Sequence, residues 1–255
     1  MDGKRAVVGI ILIAIFGIYL VNADRLNVVV DTLSAVLPEQ PPVVQEPVDA
    51  PPVVAQPLID AGLIDPISSL LKPNEVVLLL DSLTVTAEKP ATEYDRKNFG
   101  GGWADLDGNG CDQRNDTLLR DLTETSFRAG THGCVVITGI LDDPFTGEVI
   151  NFVKEDASKV QIDHMVPLSW AWRNGASTWS DKKLKAFANA PANLTAVSGS
   201  ANGSKGDRGP SDWRPDNADY RCVYVTRFIF VVDEWDLTID DDDRRSARRE
   251  LAGCE

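Results

Sequence analysis

Hydrophobic and polar positions divide the chain into three textures. Ala6 to Val21 is apolar without a break, sixteen residues behind the basic pair Lys4-Arg5. Pro38 to Pro57 holds seven prolines interleaved with Val, Gln, Glu and Ala. Such a composition packs no core and favours an extended, semi-rigid spacer. Asp24 to Leu37 shows no clear period. Leu58 to Leu83 is mixed, and Val76 to Leu80 fits either a short strand or a helical turn. From Tyr94 onward the sequence turns aromatic, charged and glycine-containing, the texture of a packed domain.

Within that packed part, β-branched runs alternate with helical patterns and turn dipeptides. Thr117 to Leu122 predicts a helix capped by Asp116. Cys134 to Leu141 predicts a strand, Asp143 to Gly147 a turn, and Glu148 to Val153 the returning strand. Val160 to Ile162 predicts a further strand running into Asp163-His164. Leu168 to Gly175, Asp181 to Asn189, Asp219 to Trp235 and Arg244 to Leu251 read as helices, Leu194 to Val197 as a short strand, and Ser200 to Lys205 as a helix start. The acidic run Asp240 to Asp243 reads as a solvated cap of the last helix. The fold class is α+β, small sheets with helices around them. Three segments follow: a signal peptide or signal anchor over residues 1–23, a largely disordered Pro/Val-rich stalk over 24–82, and a folded domain over 83–255.

Composition refines the picture. The net charge of −14 argues against a general nucleic-acid binder, but the charge is uneven. Asp163 to Phe230 carries nine Lys/Arg against six Asp/Glu, whereas Asp233 to Glu255 carries nine acids against four arginines. The apolar run followed by small residues at Val21-Asn22-Ala23 has the form of an export signal, and residues 6–21 would anchor the chain in a membrane if retained. The four cysteines agree with a secreted or cell-envelope location outside the cytoplasmic membrane. The pairing expected is Cys111–Cys134 and Cys222–Cys254, since each pair brackets one half of the packed region. No Cys-x-x-Cys spacing points to zinc.

Chemistry concentrates in Val160-Gln161-Ile162-Asp163-His164, which holds one of only two histidines, and in Asn193 and Asn202-Gly203-Ser204-Lys205 further on. This set resembles the active site of HNH endonucleases, and hydrolysing a phosphodiester, the reaction that the resemblance implies, needs a base for water, a cation to stabilise charge, and a group to orient the base. His164 suits the base. Asp163 and Asn202 offer hard oxygens for Mg²⁺ or Mn²⁺. Asn193 would brace the loop behind His164, and Lys205 would contact the scissile phosphate. Adjacent strand residues face opposite ways, so Asp163 and His164 serve one site only if the strand ends there, as Met165-Val166-Pro167 suggests.

The order Asp-His, Asn, Asn resembles the ββα-metal (His-Me finger) site of HNH endonucleases, and within them the exported bacterial GmrSD C-terminal type. The resemblance spans roughly residues 94–254. It rests on FGGGWADLDGNGCDQRND (Phe99 to Asp116), DHMVPLSWAWRNG (Asp163 to Gly175), FANAPANLTAVSGSANGSKGDRGPSDW (Phe187 to Trp213) and the placing of Cys222 and Cys254. It implies Asp163 and Asn202 as metal ligands, His164 as general base and Asn193 as orienting residue. Many HNH enzymes carry His where Asn202 stands, and the Asn favours Mg²⁺ or Mn²⁺ over zinc. The implied activity is hydrolysis of DNA, or of RNA, with little sequence preference.

Other features bear on this expectation. Asp105, Asp107, Asn109 and Asp116, with Gly110 at the sixth position, resemble an EF-hand-type calcium loop, although Asp116 replaces the usual Glu and Asp112 occupies a normally apolar position. His132 reads as structural. Trp170, Trp172 and Trp179 read as core, and the spacing of Arg114 and Arg128 assigns them nothing. Two competing readings are a catalytically idle envelope interaction protein on an HNH scaffold and a calcium-dependent binding module. An immunity or inhibitor protein is not legible.

Overall fold

The computed structural model describes residues 72–254. The export segment and residues 24–71 of the expected stalk lie outside them. The stalk's last residues do not behave as a linker. Pro73–Ser82 forms helix α1, with proline in the first turn and the Glu75 carboxylate accepting from the Lys72 N–H at 2.8 Å. Val76 and Leu80, one turn apart on one face, are fully buried. The chain after α1 stays docked: the Thr86 N–H donates to the Ile239 carbonyl, and the Ile239 N–H to that of Thr84. The packed unit therefore includes Pro73, earlier than the boundary expected at residue 83. Proline-rich neighbours masked a helix that proline helps to start.

Helix α2, Gln113–Asp121, is capped by Asp112, whose side chain accepts from the Asn115 N–H, and not by the expected Asp116. A three-stranded antiparallel sheet follows, in the order β1 (Thr123–Phe127), β2 (Val136–Asp142), β3 (Val149–Val153). β1 was not expected from its polar sequence, Thr-Glu-Thr-Ser-Phe, and it pairs with β2 irregularly. The predicted turn after β2 is held by the Asp143 carboxylate, which accepts from the Phe145, Thr146 and Ser198 N–H groups.

The last of these bonds reaches the second sheet. It consists of β4 (Val160–His164) and β5 (Leu194–Ser198), antiparallel with Asp163 opposite Thr195 and His164 opposite Leu194. Helices α3 (Leu168–Arg173) and α4 (Asp181–Ala188) lie between these strands in sequence. Helix α5 (Gly199–Lys205) leaves β5 directly. Its first residue must be glycine, because a Cβ there would overlap the Ser158 carbonyl oxygen. Helices α6 (Arg221–Glu234) and α7 (Asp241–Leu251) close the fold. The molecule mixes helix and sheet.

One core gathers Val76, Leu80, Trp170, Phe187, Phe228 and their neighbours around α6. The other lies under the sheets and includes Leu118, Phe152, Val160, Ile162 and Leu194. Trp170 is fully buried, and Trp172 and Trp179 pack partly buried against the first core. Asp240 caps α7 as expected, but the run is not wholly solvated. Asp243 is 2% exposed and accepts from Trp170 Nε1 and the Ser211 N–H, both at 2.7 Å. Cys111–Cys134 and Cys222–Cys254 form the two expected disulfides.

Candidate active site

β4 carries the Asp-His pair to its final residues. Val160 and Ile162 anchor the strand in the second core, and the chain turns away after His164 toward Pro167 at the head of α3. Asn193 holds this exit. It is fully buried; its Oδ1 accepts from the Val166 N–H at 2.8 Å, its Nδ2 donates to the Val166 carbonyl at 3.3 Å, and its own carbonyl accepts from the Met165 N–H at 2.7 Å. The side chain thus acts as a template for the backbone just past His164.

The His164 ring is 6% exposed. Its Nε2 lies 2.9 Å from the Ala188 carbonyl at the end of α4. A carbonyl only accepts, so Nε2 carries the ring proton and the Nδ1 lone pair is left for chemistry. Burial holds the imidazolium pKa down at about 3. The nearby positive charges of Arg96 and Lys205 lower it further, against the opposing pull of the Ala188 carbonyl. The ring is neutral at ordinary pH. Trp103 stacks on it, with centroids 5.9 Å apart and planes 9° from parallel. Trp103 is positioned by the Ala104 N–H, which donates to Asn189 Oδ1 at 2.8 Å.

Asp163 lies on the alternate face of β4 with Gln161. α5 faces these two with residues one turn apart. Lys205 Nζ donates to Asp163 Oδ2 and to the His164 carbonyl, both at 2.7 Å, and Asn202 Nδ2 donates to Gln161 Oε1 at 2.8 Å. Burial pushes the Asp163 carboxyl up and the Lys205 ammonium down, and each charge opposes the shift of the other. Lys205 is fully buried, so the expectation that it meets the scissile phosphate does not match its place. It is the counter-ion of Asp163 and a brace on the backbone of His164. No direct side-chain bond joins His164 to Asp163 or Asn202 among the described residues.

For a divalent cation the donors are of the right kind. Asp163 supplies a carboxylate, and Asn202 keeps Oδ1 clear of hydrogen bonds among the described residues while its nitrogen holds Gln161. One carboxylate and one amide make a sparse set, which suits a small hard ion that retains waters and takes further oxygens from a substrate phosphate. Lys205 competes for the same carboxylate.

Sequence reasoning missed the residues that hold the far wall. Arg120 Nη2 and Arg227 Nη2 both donate to the Leu194 carbonyl, at 2.7 and 3.0 Å, and the Ala196 N–H donates to Asp121 Oδ2 at 2.7 Å. These contacts span 33 to 75 positions, and no local pattern announces them.

Residues 112–246 match the family described as GmrSD restriction endonucleases, C-terminal domain. A protein of Arthroderma benhamiae, described as an uncharacterized secreted protein, is 34% identical over 178 residues, covering 69% of this chain and 83% of that protein. The chain belongs to the GmrSD C-terminal domain family. No solved structure matches it. The family match includes all four residues of the Asp-His, Asn, Asn order and begins inside the acidic loop, leaving Trp103 and Asp105 to Cys111 before it.

That loop is closed on itself. The two Asp105 oxygens accept from the Gly108 and Gly110 N–H groups, and Asn109 Nδ2 donates to Asp107 and Asp116. Among the described residues the carboxylates that converge within 4.8 Å are those of Glu88, Asp240 and Asp243, not those of the loop. His132 sits at positive φ in the turn before Cys134, away from the candidate site's hydrogen bonds. Among the described residues no helix is long and apolar enough to cross a membrane, and the expected anchor at residues 6–21 lies outside them.

Proposed function

We propose that this chain is an exported HNH-type endonuclease that hydrolyses phosphodiester bonds in DNA or RNA with little sequence preference. In this reading β4, β5 and α5 are its ββα-metal core. The observation that carries it is the geometry at His164: Nε2 is committed to the Ala188 carbonyl, and Nδ1 keeps its lone pair for a proton from water. Family membership supports nuclease chemistry. The secreted relative and the two disulfides support export.

His164 Nδ1 takes a proton from water as the water oxygen attacks phosphorus, and the P–O bond to the leaving sugar oxygen breaks. Asn193 keeps the backbone behind the ring in register. Lys205 fixes the His164 carbonyl and balances the Asp163 charge. Mg²⁺ or Mn²⁺, held by Asp163 and Asn202, would supply positive charge at the phosphate and the leaving oxygen. A Ca²⁺ ion at Asp105, Asp107, Asn109 and Asp116 would be structural and separate from this chemistry.

One observation favours the second reading, an idle interaction protein on the same scaffold: the Asp163 carboxylate is already paired with a buried lysine. The readings part on whether the oxidised protein cuts nucleic acid at all, and within the nuclease reading Asn202 tests the ligand set. If it is a ligand, Asn202→Ala raises the Mn²⁺ concentration for half-maximal cleavage at least tenfold with the melting temperature little changed. An unchanged metal dependence in an active variant would remove Asn202 from the ligand set.

A further inference from the structure

Three exposed cations stand on the two segments that wall in His164. The short 3-10 turn Arg96–Phe99 anchors itself through Phe99, which is 2% exposed and meets the Phe187 ring of α4 with centroids 6.2 Å apart. That anchoring leaves Arg96 and Lys97 in solvent. The chain then turns at Gly100, with φ at 99°, and the Lys185 stem crosses this turn, its Cγ 3.3 Å from where a Cβ on Gly100 would sit. Lys185 belongs to α4, whose last residue presents its carbonyl to His164. Three residues past Gly100, Trp103 covers the ring. Arg96 is near enough for its charge to act on the imidazole.

Cations without a carboxylate partner are common among the described residues; what sets these three apart is their place on the segments beside His164. Arg120, Arg173, Arg214, Arg244, Arg245 and Arg248 each pair with a carboxylate. Arg96, Lys97 and Lys185 have no carboxylate partner among the described residues, on a chain whose net charge is −14. Glu93 and Asp95 precede them, but the Asp95 carboxylate is turned onto the Lys97 N–H at 2.9 Å, as the cap of the turn. Exposed cations beside the candidate base form a local positive field, which draws in and orients a polyanion.

We propose that Arg96, Lys97 and Lys185 form the track that holds the sugar-phosphate backbone of a nucleic acid beside His164. This rests on the nuclease reading and adds the surface by which substrate is held. The track contacts phosphates and reads no base, in keeping with little sequence preference.

The test is binding of a fluorescein-labelled DNA duplex, by anisotropy, to the whole disulfide-bonded protein over a range of NaCl concentrations in EDTA. Cleavage is measured in parallel in Mn²⁺. Each phosphate contact contributes about −0.9 to the slope of log affinity against log salt for duplex DNA. Arg96→Ala, Lys97→Ala and Lys185→Ala are each expected to flatten the slope by roughly that amount and to weaken binding at low salt. The triple variant should flatten it by the sum, with unchanged melting temperature, and Arg249→Ala on α7 should leave it alone. If the unaltered protein cuts DNA while the triple variant keeps its slope and rate, the track is wrong and the nuclease reading stands. If the unaltered protein neither binds nor cuts, the nuclease reading falls and the track falls with it.

Discussion

At the scale of residues, His164 is set by partners remote from it in sequence: a carbonyl at Ala188, an indole at Trp103 and a template at Asn193. Burial puts its folded pKa near 3, below the value of 6.5 for an unburied histidine. A depressed pKa contributes stability that is fully present above the unfolded value and is lost as pH falls through that value toward the folded one. Between pH 6.5 and 3 this loss approaches about 5 kcal/mol, on the order of 1.4 kcal/mol per unit. His164→Gln removes the titration. Urea unfolding at pH 7, 5 and 3.5 should show the wild type losing its stability relative to this variant as the pH drops. Parallel losses would mean the ring takes up its proton without opening the fold. Asp163, His164, Asn193 and Asn202 could be named as candidates because their residue types and order are local facts. Trp103, Ala188 and the burial of Lys205 could not, since each depends on which elements pack together.

At the scale of elements, α5 is pinned to β4 by two side chains one helical turn apart, Asn202 on Gln161 and Lys205 on Asp163. The second is a fully buried ion pair. Removing one partner strands a charge out of water, at a cost of about 3–5 kcal/mol. Lys205→Met should therefore lower the denaturation midpoint sharply, and adding Asp163→Leu should restore part of the loss. If Lys205→Met leaves stability untouched and only weakens substrate binding, the lysine is a phosphate contact after all. β2, β3, β4 and β5 were legible from their β-branched runs. β1 was not, because a half-exposed strand of Thr, Glu and Ser has no apolar alternation to show. α1 was hidden by the proline-rich stretch before it, and the capping of α2 was misplaced because Asp112 and Asp116 are equally good caps on paper.

At the scale of the whole molecule, two disulfides and a secreted relative fit an extracellular location, on an acidic chain that carries exposed cations beside its buried histidine. The disulfides close loops of 23 and 32 residues, and each stabilises by about 3–4 kcal/mol in the chain-entropy account, so the fold is more stable in the oxidised protein. The cysteine pairing was legible because each pair closes a separate region of sequence. That Asp163 and His164 face opposite sides of one strand was legible from strand alternation; the partner that each meets on its own side was not, and the central claim turns on these partners. The most direct measurement is degradation of supercoiled plasmid and of single-stranded RNA by the oxidised protein in Mg²⁺, in Mn²⁺ and in EDTA, beside His164→Ala. The account predicts metal-dependent cutting that EDTA abolishes and His164→Ala reduces by about 10²–10⁴. Folded, disulfide-bonded protein that cuts neither substrate in either metal, or a His164→Ala variant that cuts as well as the wild type, would contradict it.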